Sequence, residues 1–125
     1  RKGNNRIHTT GELKGKRIAT QTGTTNEKEA LKYTTDRLVL RYSDFVQATK
    51  AIIDNKADAL FTDLPNAKRI IARNSNLQIV GGPFTWEYYG IVFLKGDPSV
   101  VQINEALSNL RKKGILEELE KKWLY

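Results

Sequence analysis

The sequence predicts an α/β fold with a mostly parallel sheet flanked by helices. Three observations predict it. Short apolar runs recur between helical stretches at the spacing of βαβ units. The helical stretches carry apolar residues three and four positions apart. A tight glycine turn, Thr22-Gly23-Thr24, joins the first run to a helix that opens on a capping box. With 125 residues, 39% of them hydrophobic, the chain can bury a real core.

The first strand is Arg17-Ile18-Ala19-Thr20, and residues 25–33 are the first helix. Leu38-Val39-Leu40-Arg41-Tyr42 is β-branched and aromatic, hence the second strand. Ser43 is expected to cap the next helix, whose Phe45, Ala48, Thr49, Ile52 and Ile53 keep helical spacing. Asp58 to Phe61 form a third strand. Leu64-Pro65 opens a further helix, with proline in the first turn where its missing N–H does no harm, and Ala67, Ile70 and Ile71 face inward. Leu77 to Val80 make a fourth strand, stopped by Gly81-Gly82-Pro83. Residues 83–89 then turn aromatic, and Gly90-Ile91-Val92-Phe93-Leu94 reads as another strand. Asp97-Pro98 starts a helix with Val100, Ile103, Leu107 and Leu110 on one face. Gly114 ends it, and a last helix carries Leu116, Leu119 and Trp123.

Composition removes several functions. With no cysteine there are no disulfides, thiol nucleophiles or thiolate metal sites, and the lone His8 lacks companions for a metal site, so no metal or cofactor is expected. No apolar run approaches the length of a membrane-spanning helix. The basic start, Arg1-Lys2-Gly3-Asn4-Asn5-Arg6, is followed by no apolar segment and is not a signal peptide, so a mature or truncated chain is expected. The net charge is +7, and residues 1–17 hold six basic side chains against Glu12. A nucleic-acid partner is nonetheless not expected. The remaining basic residues are scattered beside carboxylates, and the aromatics do not interleave with them as a stacking platform requires.

Two places carry chemistry. In Gly23-Thr24-Thr25-Asn26-Glu27 the Thr24 hydroxyl can accept from the backbone three residues on while Glu27 reaches back. N–H groups in such a turn attract an anion, although a plain helix cap would show the same pattern. Asp63 ends the run Asp58-Ala59-Leu60-Phe61-Thr62-Asp63, beside that turn in a parallel sheet, where by itself it could cap the next helix.

Taken with Tyr89-Gly90-Ile91-Val92-Phe93, the stretches Leu13–Lys28 and Asp58–Asp63 resemble the extracytoplasmic amino-acid-binding proteins that feed ABC importers, over about residues 13–125. The resemblance implies one lobe of a two-lobed periplasmic-binding-protein fold, apparently a fragment. Residues 1–84 would be the second, ligand-binding lobe, 85–89 the returning hinge, and 90–125 a strand and two helices of the first lobe. It implies that Gly23, Thr24, Thr25 and Asn26 grip the ligand's α-carboxylate and Asp63 its α-ammonium. Thr62 and Gln21 would line the cleft, and Asn66 would hydrogen-bond the ligand. Trp86, Tyr88 and Tyr89 would pack in the hinge. The implied ligand is a polar or cationic amino acid, the implied partner an importer's membrane permease, and the location periplasmic or otherwise extracytoplasmic.

The same fold also serves the periplasmic cyclohexadienyl (arogenate/prephenate) dehydratase, which the Thr25-Asn26-Glu27-Lys28 run and Thr62-Asp63 resemble as well. That enzyme carries a general-acid glutamate three residues after the matching aspartate; here the position is Asn66, so no enzyme activity is expected. A sensor ectodomain or the regulatory part of a cell-wall lyase is a third use, disfavoured because Lys121-Lys122-Trp123-Leu124-Tyr125 resembles the end of transporter components. On the fragment reading Ile91, Phe93, Leu107, Leu110 and Trp123 lack the sheet they would cover. Self-association, non-native docking of the tail or a missing partner segment is then expected.

Overall fold

The computed structural model describes residues 2–3 and 6–124; Arg1, Asn4 and Asn5 of the basic start, and Tyr125 at the end of the last run, lie outside the described residues. Two compact units divide the chain, Arg1–Phe84 and Thr85–Tyr125.

The first unit is built on a three-stranded parallel sheet: β1 (Ile18–Gln21), β2 (Val39–Tyr42) and β3 (Ala59–Leu60), in the order β2-β1-β3. Ile18 lies beside Val39 on one side and Ala59 on the other. Side chains alternate across a strand, so Ile18 and Ala19 enter opposite layers. Ile18 packs with Val39, Phe61, Leu13, Ile7 and Ala30, the last from α1 (Thr25–Ala30). Ala19 packs against Ala48 and Ala51 of α2 (Phe45–Ile53). Alanine on both sides of that contact lets the helix backbone approach the sheet closely. A third cluster joins Ile52 to Leu77 and to Ile70 of α3 (Leu64–Arg73).

Arg17 and Asp58 fix the start of this sheet. The guanidinium donates through Nη2 to Asp58 Oδ1 at 2.9 Å and through Nε to Oδ2 at 3.1 Å, while Arg17 N donates to Oδ2 at 2.9 Å. Asp58 N returns a bond to the Arg17 carbonyl at 2.8 Å. The bidentate pair is thus a side-chain extension of the β1–β3 ladder.

Several local expectations are corrected. α1 stops at Ala30, after which Lys32 and Tyr33 close tighter turns on the carbonyls of Glu29 and Ala30. The Thr34 hydroxyl donates to the Lys16 carbonyl at 3.0 Å, drawing the chain away from the helix axis. The cap of α2 is Asp44, not Ser43: Asp44 is extended, and its carboxylate accepts from Gln47 N at 2.8 Å. The run Leu77–Val80 is not a strand. Only Leu77 is buried, and its N–H closes a turn on the Asn74 carbonyl instead of entering a ladder. The chain then turns at Gly81 (φ +73°), where a Cβ would stand 3.3 Å from the His8 carbonyl oxygen. A left-handed backbone and that close approach both call for glycine.

The second unit consists of α4 (Ser99–Lys112) and α5 (Ile115–Trp123), packed on each other and separated by Gly114 in the left-handed region. Val100, Ile103, Leu107, Leu110 and Leu116 are half-buried. The Asp97 carboxylate accepts from the backbone and hydroxyl of Ser99 at the start of α4. Gly90–Leu94, expected as a strand, forms none: Ile91, Val92 and Leu94 are exposed. A strand exists only where a neighbour completes its hydrogen bonds, and among the described residues of this unit none does. Among the described residues no helix is long and apolar enough to cross a membrane.

Candidate functional site

Chain order and spatial order differ in the sheet. From central β1 the chain goes out to β2, then crosses back to β3 on the opposite side of β1. The loops leaving β1 and β3 therefore stand next to each other at the carboxyl edge, the place where open parallel sheets bind ligands. The loop after β1 is the glycine turn, and the loop after β3 is Phe61-Thr62-Asp63.

Gly23 turns the first loop with φ +76°, a left-handed conformation that a side chain would strain. Thr24 is the N-cap of α1: its hydroxyl accepts from Glu27 N at 3.3 Å and donates to the Gln21 carbonyl at 2.7 Å. Glu27 reaches back one residue further than a standard capping box, accepting from Gly23 N at 2.7 Å. The Gly23 N–H is thus committed to Glu27. The N–H groups of Thr24, Thr25 and Asn26 remain at the head of α1, where the helix itself supplies no acceptor.

Arg41 of β2 braces Glu27 from the neighbouring strand. Its Nε donates to Glu27 Oε1 at 2.6 Å and its Nη2 to Asp36 Oδ1 at 2.5 Å. Arg41 and then the Gly23 N–H hold the Glu27 carboxyl below its ordinary range. The turn is thereby tied into a charge network that runs through Arg41 on another strand to Asp36. In the sequence Arg41 shows only as a strand residue, with nothing in its neighbours that points to the site.

Asp63 stands at the N-cap position of α3, yet its carboxylate makes no cap hydrogen bond there; its carbonyl accepts from Ala67 N at 2.9 Å. The carboxylate instead accepts from Asn26 Nδ2, at 2.9 Å from Oδ1. This bond joins the two loops across 37 positions of sequence. Around it lies a cavity of about 70 Å³ lined by Gln21, Thr24, Asn26, Thr62, Asp63 and Asn66 on its polar side, and by Phe45, Ala48, Leu60 and Phe61 on its apolar side. Six of the eight expected site residues therefore share one cavity. Gly23 and Thr25 do not line it, Gly23 shaping the turn and Thr25 opening α1.

The apolar wall was not foreseen as part of the site, although Phe45 carries a readable signal as the first apolar residue of an amphipathic helix after a strand. Arg69 of α3 stands over the Phe45 ring, 5.8 Å from its centroid, and donates from Nη2 to Asn66 Oδ1 at 3.3 Å. Phe61 also belongs to an aromatic group, its ring 5.9 Å from Tyr33 and 5.2 Å from Phe84. Trp86, Tyr88 and Tyr89, expected in hinge packing, are exposed by 90%, 100% and 73%.

No family model matches the sequence. The ABC transporter glutamine-binding protein GlnH of Bacillus subtilis (strain 168) is 30% identical over 112 residues, which are 89% of this chain and 41% of GlnH. The P235GK mutant of ArgBP from T. maritima is 34% identical, with a TM-score of 0.80 over 98% of this chain and 54% of that one. Domain 2 of the same protein is 33% identical with a TM-score of 0.58, over 66% of this chain and 89% of the domain. The ancestral amino acid-binding protein AncCDT-1, a precursor of cyclohexadienyl dehydratase, is 28% identical, with a TM-score of 0.73 over 98% of this chain and 54% of that one. The chain belongs to the amino-acid-binding proteins of ABC transporters and has their periplasmic-binding-protein fold. It spans about half the length of these relatives.

Proposed function

We propose that this chain forms one side of an amino-acid-binding cleft and serves delivery of that amino acid to an ABC importer. The observation that carries the reading is the Asn26–Asp63 hydrogen bond. It sets a carboxylate beside the amides at the head of α1, and a zwitterion needs an anion for its ammonium and N–H groups for its carboxylate. In this reading Thr24, Thr25 and Asn26 take the α-carboxylate, Asp63 takes the α-ammonium, and Gln21, Thr62 and Asn66 meet the rest of the ligand. Gly23 shapes the turn that presents them.

Residues 1–84 act as the second lobe, 85–89 as the returning hinge and 90–125 as part of the first lobe. Closure of the two lobes traps the ligand, shifting an open–closed equilibrium that the importer's permease reads. The protein works in the periplasm or another extracytoplasmic space. Relatives described as glutamine- and arginine-binding support a polar or cationic amino acid as ligand. The exposed Ile91, Val92 and Trp123 support self-association of the isolated chain, which sedimentation velocity at several concentrations would register.

A dehydratase is the competing reading, supported by the likeness to AncCDT-1. Against it, Asn66 carries an amide whose oxygen already accepts from Arg69, and an amide has no acidic proton for a leaving hydroxyl. The protein is therefore read as a binder and not an enzyme.

The test is a ¹⁵N-resolved NMR titration of the chain with the twenty amino acids and with prephenate. Shifts centred on Thr24 to Asn26 and Asp63 with one class of amino acid are the expected result. Phenylpyruvate accumulating in the prephenate sample would overturn the reading in favour of the enzyme.

A further inference from the structure

We infer that this half-site selects an amino acid whose side chain ends in a hydrogen-bond acceptor, an amide or a carboxylate, over one that ends in a cation. The inference rests on the amino-acid-binding reading of the same cavity and narrows its ligand.

The argument begins with Asn66, the polar residue of α3 on the cavity wall. The two ends of an asparagine amide are chemically opposite, and which end faces which neighbour decides what the residue can recognise. Arg69 settles this. Its Nη2 lies 3.3 Å from Asn66 Oδ1, and a guanidinium only donates. The oxygen must therefore be the end turned to Arg69, and the NH₂ end is the one this inference assigns to the cavity. An NH₂ group asks its ligand for an acceptor. The ammonium of a lysine or the guanidinium of an arginine has none to offer.

Arg69 acts a second time through its charge. It stands over the Phe45 ring, another part of the cavity wall, so an exposed guanidinium lies beside both Asn66 and Phe45. A cationic side chain entering between them would meet like charge, which costs affinity; an anionic or amide oxygen would not. Among the described residues that line the cavity, Asp63 alone carries a charge. That charge is already engaged by Asn26 and is assigned to the ligand's ammonium. Gln21, Thr24 and Thr62 are neutral, so no second carboxylate on this wall compensates a ligand cation.

The test titrates the full chain with L-glutamine, L-glutamate, L-lysine and L-arginine, followed by the backbone signals of Asp63 and the side-chain NH₂ signal of Asn66. Glutamine or glutamate should bind at least about tenfold more tightly than lysine or arginine, a modest preference for one hydrogen bond and one repulsion. Only they should shift the Asn66 NH₂ signal. The variant Asn66→Asp keeps an acceptor for Arg69 but replaces the donor end by an oxygen, in the first turn of α3 where a carboxylate is well tolerated. It should lose the preference for glutamine. Lysine or arginine binding as tightly as glutamine, with Asp63 shifting, would overturn the inference and leave the amino-acid-binding reading intact. An unchanged order of affinities in Asn66→Asp would do the same. Silence of Asp63 and of Thr24 to Asn26 towards all four would overturn both.

Discussion

Asn26 Nδ2 donates to Asp63 Oδ1 across 2.9 Å, tying the head of α1 to the loop that follows β3. The bond orients the carboxylate and turns it away from the helix that it could otherwise cap. The Asn26 backbone N–H belongs to the same head of α1, where the helix itself supplies no acceptor. In the proposed reading, this one pair of residues serves both ends of a zwitterion.

Removing the charge of Asp63 should cost most of the binding. Asp63→Asn keeps the shape but replaces a charge-assisted hydrogen bond, worth ~1.5–3 kcal/mol, by a neutral one. Affinity for the amino acid identified by titration is expected to fall by about one to two orders of magnitude. Undiminished affinity in a calorimetric or NMR titration would remove Asp63 from the site.

Asn26→Ala tests orientation separately from charge. The carboxylate remains but loses its tether, so binding should weaken by about tenfold, as expected for a single hydrogen bond to a charged group. The ¹H–¹⁵N spectrum should change only around the two loops. Global loss of dispersion would instead assign the bond to the fold.

The Arg17–Asp58 pair should give the fold an acid limit. Arg17 hydrogen-bonds the Asp58 carboxylate and holds its pKa below the ordinary value, so folding favours the ionised form. A carboxyl depressed in the folded state contributes stability above its unfolded pKa and loses it as pH falls through the folded value. The urea midpoint should therefore be flat near neutrality and decline below about pH 4, where unfolded aspartate begins to protonate. Asp58→Asn should lower the midpoint at neutral pH and flatten the decline; an identical decline in the variant would place the acid limit elsewhere.

Ile18→Ala probes the central strand. Ile18 is fully buried between Val39, Phe61 and Ala30, so truncation leaves a cavity among three elements that cannot collapse together. A loss of ~2–5 kcal/mol in unfolding free energy is expected by urea denaturation. A loss below 1 kcal/mol on the order-of-magnitude scale for such truncations would mean the core repacks around the gap.

Local patterns carried much of the first unit. Ile18-Ala19-Thr20, Val39–Tyr42, the Thr24 cap, the Pro65 helix start and the apolar spacing of α2 each express a preference settled within a few residues, and each appears in the structure. The same holds for the Gly114 break between α4 and α5. Sequence patterning was less informative about Leu77–Val80 and Gly90–Leu94. These runs have strand composition, but a strand is a property of two chains and the composition describes only one.

By itself the sequence determined the alternation of strands and helices, the conformation of the Gly23 turn and the kinds of residue in the two loops. Those follow from periodicity, capping and backbone freedom, which act over short distances along the chain. Tertiary structure alone decided that Asn26 meets Asp63, that Arg41 braces Glu27 from another strand and that Arg69 stands over Phe45. The first two are set by the β2-β1-β3 order. The third depends on how α3 lies against α2, which three- and four-residue spacing within one helix cannot specify.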